Sequence, residues 1–328
     1  MATEIRSKLL KMFTEVEGGF LSGQKISEEL GCSRTAVWKH IEELRQAGYE
    51  LEAIRRKGYR ITKIPNRISS NEISLGLKTD TLGRAIHFEE SVTSTQKIAH
   101  QLAYDGALEG TLVVAEEQTA GRGRLNRAWH SPMSTGVWMS LILRPNLPPA
   151  KAPQLTLLTA VAIAQAIEEV TSLRTDIKWP NDILINKKKT VGILTEMQAE
   201  ADKINSVIIG MGINVNQELE HFPEELHSIA TSLAIELGKP VNRAELIQVI
   251  LLKFENLYHR YLEHGFYPIK LLWESYAISI GKKIIARTIT GTLEGTAKGI
   301  TEDGVLMLED DTGHISYIHS ADIEIGKD

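Results

Sequence analysis

The apolar pattern changes character twice along the chain, and this limits what it can fold into more than any other feature. Up to about residue 65 the pattern follows the helical repeat. Ile5, Leu9, Met12, Phe13 and Val16 share one face over 4–16. Ser22 is placed to cap a short second helix carrying Ile26 and Leu30, which Gly31 and Cys32 break. Ser33 opens a third helix, SRTAVWKHIEELRQAG, with Val37, Ile41 and Leu44 on one side and a stop at Gly48. The stretch YELEAIRRKGYRITK then splits into two strand-like runs about an RKG turn at 56–58, the pattern of a β-hairpin. Helix, helix–turn–helix and hairpin in that order predict a winged helix–turn–helix. Pro65 and Asn66 mark its end.

From Ile68 to about Tyr276, strand-like and helix-like runs alternate. The segments 111–118, 136–145, 176–186, 189–200 and 205–216 read as strands, and 155–170 and 243–265 as helices. Most of the strands follow one another closely, which favours an antiparallel or mixed sheet over a doubly wound parallel one. The last stretch carries four short strands between Gly and Asp turns, which predicts a small β-barrel. The fold class expected is α+β in three parts: 1–65, 66–276 and 277–328.

A chain of 328 residues is too long for one ordinary core, which agrees with several domains. The net charge of -5 argues against a surface coated in positive charge, but a local basic face is compatible with it. The single cysteine, Cys32, excludes an internal disulfide and a multi-thiolate metal site. No apolar run approaches about 20 residues, and none follows a basic start. No membrane span or signal peptide is expected, and the location expected is cytoplasmic.

The third helix would carry Ser33, Arg34, Thr35, Trp38 and Lys39 on its early turns, where a recognition helix meets bases and backbone. The hairpin tip carries Arg55, Arg56 and Lys57, suited to phosphate contacts. Trp38 has two readings, outward on the helix or packed beneath the wing. Winged helices also serve as protein-interaction modules; basic residues on both DNA-facing elements favour DNA.

The central region holds the chemistry. After the strand TLVVAEEQ comes QTAGRGRLNRAW, in which the backbone of a Gly-rich turn can approach an anion. Arg122, Arg124 and Arg127 offer fork-shaped donors for phosphate oxygens, and Trp129 a face for a purine. No Lys-Ser/Thr follows the glycines and the third glycine of GxGxxG is missing, so neither common phosphate loop applies. In KWPNDILIN, Pro180 favours an extended Trp179. Lys178 and Asp182 lie close enough in sequence to hold a substrate together, or Asp182 to coordinate Mg²⁺ with phosphate oxygens, while the bland reading of PND is a turn with an Asx side chain. Of Lys187, Lys188 and Lys189, two are expected to solvate a turn; Lys189, against the apolar VGIL, is best placed to enter a site. GMGINVN puts two asparagines at a strand end, where their amides can read polar groups.

TSTQ, GRGRxxRxW, KWPNDI, KxxGILTE and GxGINVN stand in the order and spacing of the biotin–protein ligases. With SRTAVWKHIEEL and RRKGYR at the N-terminus, the whole chain resembles the bifunctional ligase and biotin operon repressor of bacteria, the Bacillus type in particular. The resemblance implies a class II synthetase-like catalytic core and an SH3-like C-terminal barrel. It implies a homodimer on operator DNA and a biotin carboxyl carrier protein as acceptor, with biotin and ATP as substrates and Mg²⁺ accompanying ATP. By the same resemblance, Ser94, Thr95 and Gln118 bind the ureido ring of biotin. Arg122, Gly123, Arg124 and Lys189 cover its carboxylate and the phosphate. Arg127 helps order the loop over the adenylate, Trp129 flanks the adenine, Asn214 lies near the adenosine side, and Asp182 serves the acceptor lysine or a metal. Leu125 and Asn126 depart from the residues usual after GRGR and are expected to alter loop dynamics. Rival readings are a lipoate or octanoate ligase, a non-catalytic DNA-binding sensor, and a ligase whose N-terminal domain does not bind DNA.

Overall fold

The structure is a computed structural model that describes residues 2–16, 18–200 and 203–326. The first unit comprises α1 (Ala2–Glu15), α2 (Gly23–Leu30), α3 (Arg34–Gln46) and the hairpin of β1 (Glu50–Ile54) and β2 (Gly58–Lys63). Ser22 and Ser33 open α2 and α3, their hydroxyl oxygens accepting from Lys25 N and Ala36 N. Each satisfies an amide that the first turn leaves unpaired. The inner faces bury Leu9, Ile26, Val37, Ile41 and Leu44. At the hairpin tip, Gly58 has φ 111, and a Cβ there would stand 2.1 Å from Leu21 O. Glycine is thus required for the paired hydrogen bonds between Leu21 and Tyr59 that tie the wing to the helices.

The second unit is built on seven strands: β3 (Ile86–Val92), β4 (Leu112–Gln118), β5 (Val137–Leu143), β6 (Asp176–Lys178), β7 (Asp182–Ile185), β8 (Lys188–Glu200) and β9 (Lys203–Ile213). Their order is β3-β4-β5-β9-β8-β7-β6, and only β3–β4 is parallel. The helices are α4 (Ser70–Ser74), α5 (Thr95–Tyr104), α6 (Ala152–Thr171), α7 (Leu233–Leu237), α8 (Arg243–His264) and α9 (Tyr267–Tyr276). The nearly all-apolar α6 lies between sheet and α8, which explains why its buried residues run almost all round it. The reading of 176–186 as one strand is corrected: Trp179, Pro180 and Asn181 turn the chain back, making a β6–β7 hairpin with a cis Trp179–Pro180 bond. Asn186 and Lys187, both at positive φ, then join β7 to β8 in a tight turn.

The last unit is a five-stranded antiparallel sheet of β10 (Lys283–Thr288), β11 (Gly291–Ile300), β12 (Leu306–Glu309), β13 (Ile315–Ile318) and β14 (Asp322–Ile325). Four strands form a meander and β14, beyond the four expected, returns beside β10. Its apolar face shares one continuous core with the central sheet. The whole is an α+β fold. No helix among the described residues is long and apolar enough to cross a membrane.

The joint between the first two units is polar and buried. Glu72 on α4 is fully buried and accepts from the hydroxyls of Tyr49 and Ser69. Burial and the adjacent carboxylate push the Tyr49 phenol well above its ordinary value, so it remains a donor. Deeper in, Arg243 opens α8 with its guanidinium buried against Glu116 of β4 at 2.7 Å. Its other donors reach Asn66 and Gly136 O. Arg243→Leu leaves the Glu116 charge buried and unpaired, and is expected to lower unfolding free energy by about 3–5 kcal/mol. Urea denaturation tests this, and Arg243→Met with Glu116→Leu is expected to recover much of the loss.

Candidate active site and DNA-facing surface

A cavity of about 520 Å³ opens at the ends of β4, β8 and β9 and draws its walls from segments far apart in the sequence. One end is polar. Thr95 N and Oγ1 donate to Gln118 Oε1, and Gln118 Nε2 donates to Ser131 Oγ at 3.0 Å. Thr95 Oγ1 also lies 2.9 Å from Ser140 Oγ, which donates to Gln96 Oε1. Ser94, Thr95, Gln96 and Ser140 are buried, so this end is a preformed network rather than a flexible surface. Ser94 and Thr95 arrive at the start of α5, a ten-residue helix beyond those expected from the sequence.

The middle of the cavity is cationic. The loop after β4 carries Arg122, Gly123, Arg124 and Arg127, and includes a single 3-10 turn at Arg124–Asn126. Leu125 and Asn126 both hold positive φ, 54° and 57°, which costs a branched residue such as Leu about 1–2 kcal/mol. Arg124 donates to Asn181 Oδ1 and to Ser320 Oγ, and Arg127 pairs with Asp322. Burial lowers the Arg124 pKa, opposed by Asp322 and Asp182, and the guanidinium stays charged. Lys189 Nζ stands 2.7 Å from Asp182. The side chains of Arg122 and Lys178 make no hydrogen bond or ion pair among the described residues. Asn181 does more than close an Asx turn: its amide bridges Ile193 O and Arg124. Lys188 donates to His227 O; Lys187, in the β7–β8 turn, and Lys189, beside Asp182, both line the cavity.

The third part is aromatic. Trp129 lies across β8 and β9, where a Cβ at Gly192 would stand 2.7 Å from its ring and one at Gly212 2.4 Å. These glycines make the seat for the indole, and Lys189 Nζ sits 5.3 Å from the ring centroid. Phe222 lines the same region, on a loop held by His130 Nε2 to His221 O. Asn214 also lines it, but its amide is engaged by Thr231 O and Gln217 Nε2. Asn216 bonds both ways with Val241 and lies outside the cavity. Gln96, Ser131, Ser140, Phe222, Ser320 and Asp322 were absent from the expected set. Gln96 stands inside TSTQ and Ser131 two residues beyond the tryptophan of GRGRxxRxW; Asp322 and Ser320 carry no sequence signal.

On the first unit, Ser33, Arg34, Thr35, Trp38 and Lys39 share the exposed side of α3, opposite Val37, Ile41 and Leu44. Trp38 is 57% exposed, which removes the reading that packs it beneath the wing. Arg55, Arg56 and Lys57 are exposed at the hairpin tip, Lys57 near the Phe20 ring.

Positive charge converging between a polar pocket and an aromatic face suits activation of a carboxylate by a nucleotide. With the winged unit attached, the class is a carboxylate-activating ligase with a DNA-binding arm. Comparisons with known proteins narrow this. The Biotin/lipoate A/B protein ligase family matches residues 88–214, an HTH domain 5–60, and the Biotin protein ligase C terminal domain 279–326. The bifunctional ligase/repressor BirA of Bacillus subtilis is 60% identical, covering 99% of this chain and 100% of its own. That of Escherichia coli is 28% identical, covering 90% and 89%. The biotin protein ligase from Aquifex aeolicus in complex with biotin and ATP superimposes with a TM-score of 0.65 at 30% identity, covering 75% of this chain and 100% of that one. The chain belongs to the bifunctional biotin–protein ligase/repressor family: an ATP-using biotin ligase that carries a DNA-binding repressor domain.

Replacing Arg55 or Arg56 by Ala is expected to weaken operator binding evenly across sequences. Each change is expected to reduce the salt-dependence slope by about one, read by titration at several salt concentrations.

Proposed function

We propose that the cavity forms biotinyl-5′-adenylate and passes biotin to a lysine of the biotin carboxyl carrier protein of acetyl-CoA carboxylase. The observation that carries this is the meeting of Arg124 and Lys189 between the Thr95–Gln118 network and Trp129. Biotin's ureido ring fits the polar end, against Ser94, Thr95 and Gln118. Its carboxylate then reaches Arg122, Gly123, Arg124 and Lys189. The adenine lies on Trp129 with Phe222 opposite, Arg127 closing the loop and Asn214 holding the Thr231 segment around it.

In the first step a carboxylate oxygen bonds to the α-phosphorus as the bond to the β-phosphate breaks, releasing pyrophosphate. Charge grows on the α-phosphoryl oxygens, and the fixed cations stabilise it without rearranging solvent. In the second step the acceptor amine attacks the acyl carbon and AMP leaves. Asp182, ion-paired with Lys189, is given the role of receiving the acceptor lysine. Mg²⁺ enters bound to the phosphates of the ATP substrate.

The adenylate also serves as corepressor. Ordering of the loop around it favours a homodimer, which sets two winged units at the spacing of a two-fold operator in the cytoplasm. The chain divides for these tasks at 65/66 and 276/277. The polar network also disfavours lipoate or octanoate, which offer no ureido group to pair with it.

Lys189→Ala is expected to lower kcat/KM for adenylation by about 10²–10³-fold, read as transfer of labelled biotin to apo carrier protein. Unchanged transfer would remove Lys189 from the reaction. In a gel shift, operator affinity is expected to rise only when biotin and ATP are present together; a shift indifferent to them would sink the corepressor role.

A further inference from the structure

The winged unit is fastened to the ligase body at two separate places. The first is the connecting chain. Asn66 follows the end of β2 by three residues, and its side chain donates to Val241 O at 3.0 Å and accepts from Arg243 N at 3.1 Å. So little chain between Lys63 and that anchor leaves no room for a flexible linker. The second place is α4, which faces both units. Leu75, just past its end, packs into the apolar core of the winged unit, while Ile73 packs into that of the body. Gln248 of α8 donates to Glu72 O and Ile73 O at 3.0 and 2.9 Å, which pins α4 to the body.

Between these two places stands one carboxylate that the units share. Glu72 is fully buried and takes donors from both sides: Tyr49 and Arg6 from the winged unit, Ser69 from the body. Arg6 Nη2 lies 3.7 Å from the carboxylate, and its guanidinium covers the Tyr49 ring at 5.6 Å from the centroid. Ser7 adds a hydrogen bond to Asn71 at 2.7 Å. None of these residues lines the cavity.

We propose that this joint fixes the angle of the winged unit against the ligase body, and that Glu72 and Tyr49 thereby set the half-site spacing an operator must have. The proposal rests on the reading of the chain as a homodimer on a two-fold operator. A unit attached at one point swings about it, and a second point some way off removes most of that freedom. Swinging would also draw Tyr49 and Arg6 away from a carboxylate that has no water to replace them, which is strongly disfavoured. In a dimer the two copies of α3 then stand at one separation and one mutual angle. Each base pair added between half-sites turns one of them about 34° around the DNA axis relative to the other. A rigid pair of winged units cannot follow that turn. Hinged units can, though they must be ordered on the DNA each time they bind. Glu72 and Tyr49 are positioning residues: buried in the joint, they decide which DNA the two copies of α3 fit together.

The test uses the full-length protein with biotin and ATP, and the variants Tyr49→Phe and Glu72→Gln. The DNA is a two-fold operator selected by the unsubstituted protein from a random library. It is remade with its half-sites one or two base pairs closer or farther apart, and a single half-site is added to the series. The unsubstituted protein is expected to lose about tenfold in affinity for each base pair of change, since the DNA must be twisted to fit. Glu72→Gln is expected to bind the selected spacing about tenfold more weakly, through the loss of a buried charged acceptor. Across the series its affinity is expected to vary by less than about threefold, because ordering a hinged unit costs much the same at each spacing. Tyr49→Phe, which keeps the ring, is expected to fall between the two. For both variants, affinity for the single half-site and the rate of biotin transfer to apo carrier protein are expected to stay as they are. A variant with the unsubstituted spacing profile overturns the proposal, as does equal tolerance of every spacing by the unsubstituted protein. So does a parallel loss on the single half-site, which would make the joint a support for the winged fold alone. Binding of the operator by single copies, with biotin and ATP present, overturns the homodimer reading itself, and the spacing device with it.

Discussion

The buried pair of Arg243 and Glu116 is the constraint on which the rest of the architecture depends. Two charges out of water cost several kcal/mol each unless every polar atom around them is satisfied. Arg243 meets that demand: its guanidinium reaches both oxygens of Glu116, the side chain and carbonyl of Asn66, and Gly136 O. Glu116 Oε1 also accepts from Ile68 N. Four pieces of backbone are thereby held in one place: the segment leaving the winged unit, β4, the turn into β5 and the start of α8. Since Gln118 lies two residues beyond Glu116 on β4, the polar end of the cavity inherits this alignment.

The cavity combines rigid and exchangeable parts. The Gln96–Ser140–Thr95–Gln118–Ser131 network is hydrogen-bonded throughout, and all its members but the half-buried Gln118 are buried. The arginine loop is fastened differently, through Arg124 to Ser320 and Arg127 to Asp322, which are surface contacts of small individual worth. Leu125, in a left-handed conformation and 66% exposed, adds strain without packing in return. A loop held by weak, charged contacts to another unit is well suited to close on a charged intermediate and to report its presence. Its position beside the C-terminal sheet gives that sheet a direct part in the site.

Much of the site was legible because its parts are local. The glycines of GRGR and the capping serines of α2 and α3 act through the backbone of a few neighbouring residues. The inward place of Lys189 followed from the apolar VGIL beside it. Failures came where local pattern was silent or ambiguous. The run 176–186 is apolar enough for one strand, and only sheet pairing reveals its reversal at Pro180. Trp38 is large and apolar, yet helix phase sets it opposite Val37 and Ile41, in solvent.

The sequence by itself determined the α+β class, the order of the three units, and many of the residue types that line the cavity. Those follow from periodicity, turn chemistry and motif spacing, which act within a dozen or so neighbouring residues. Tertiary structure alone decided the partners. Arg127 meets Asp322 at a separation of 195 residues, Arg243 meets Glu116 at 127, and Gln118 takes its hydrogen bonds from Thr95. A charge or an amide carries no address along the chain, so its partner is chosen by packing, once burial has decided which groups can be left facing one another.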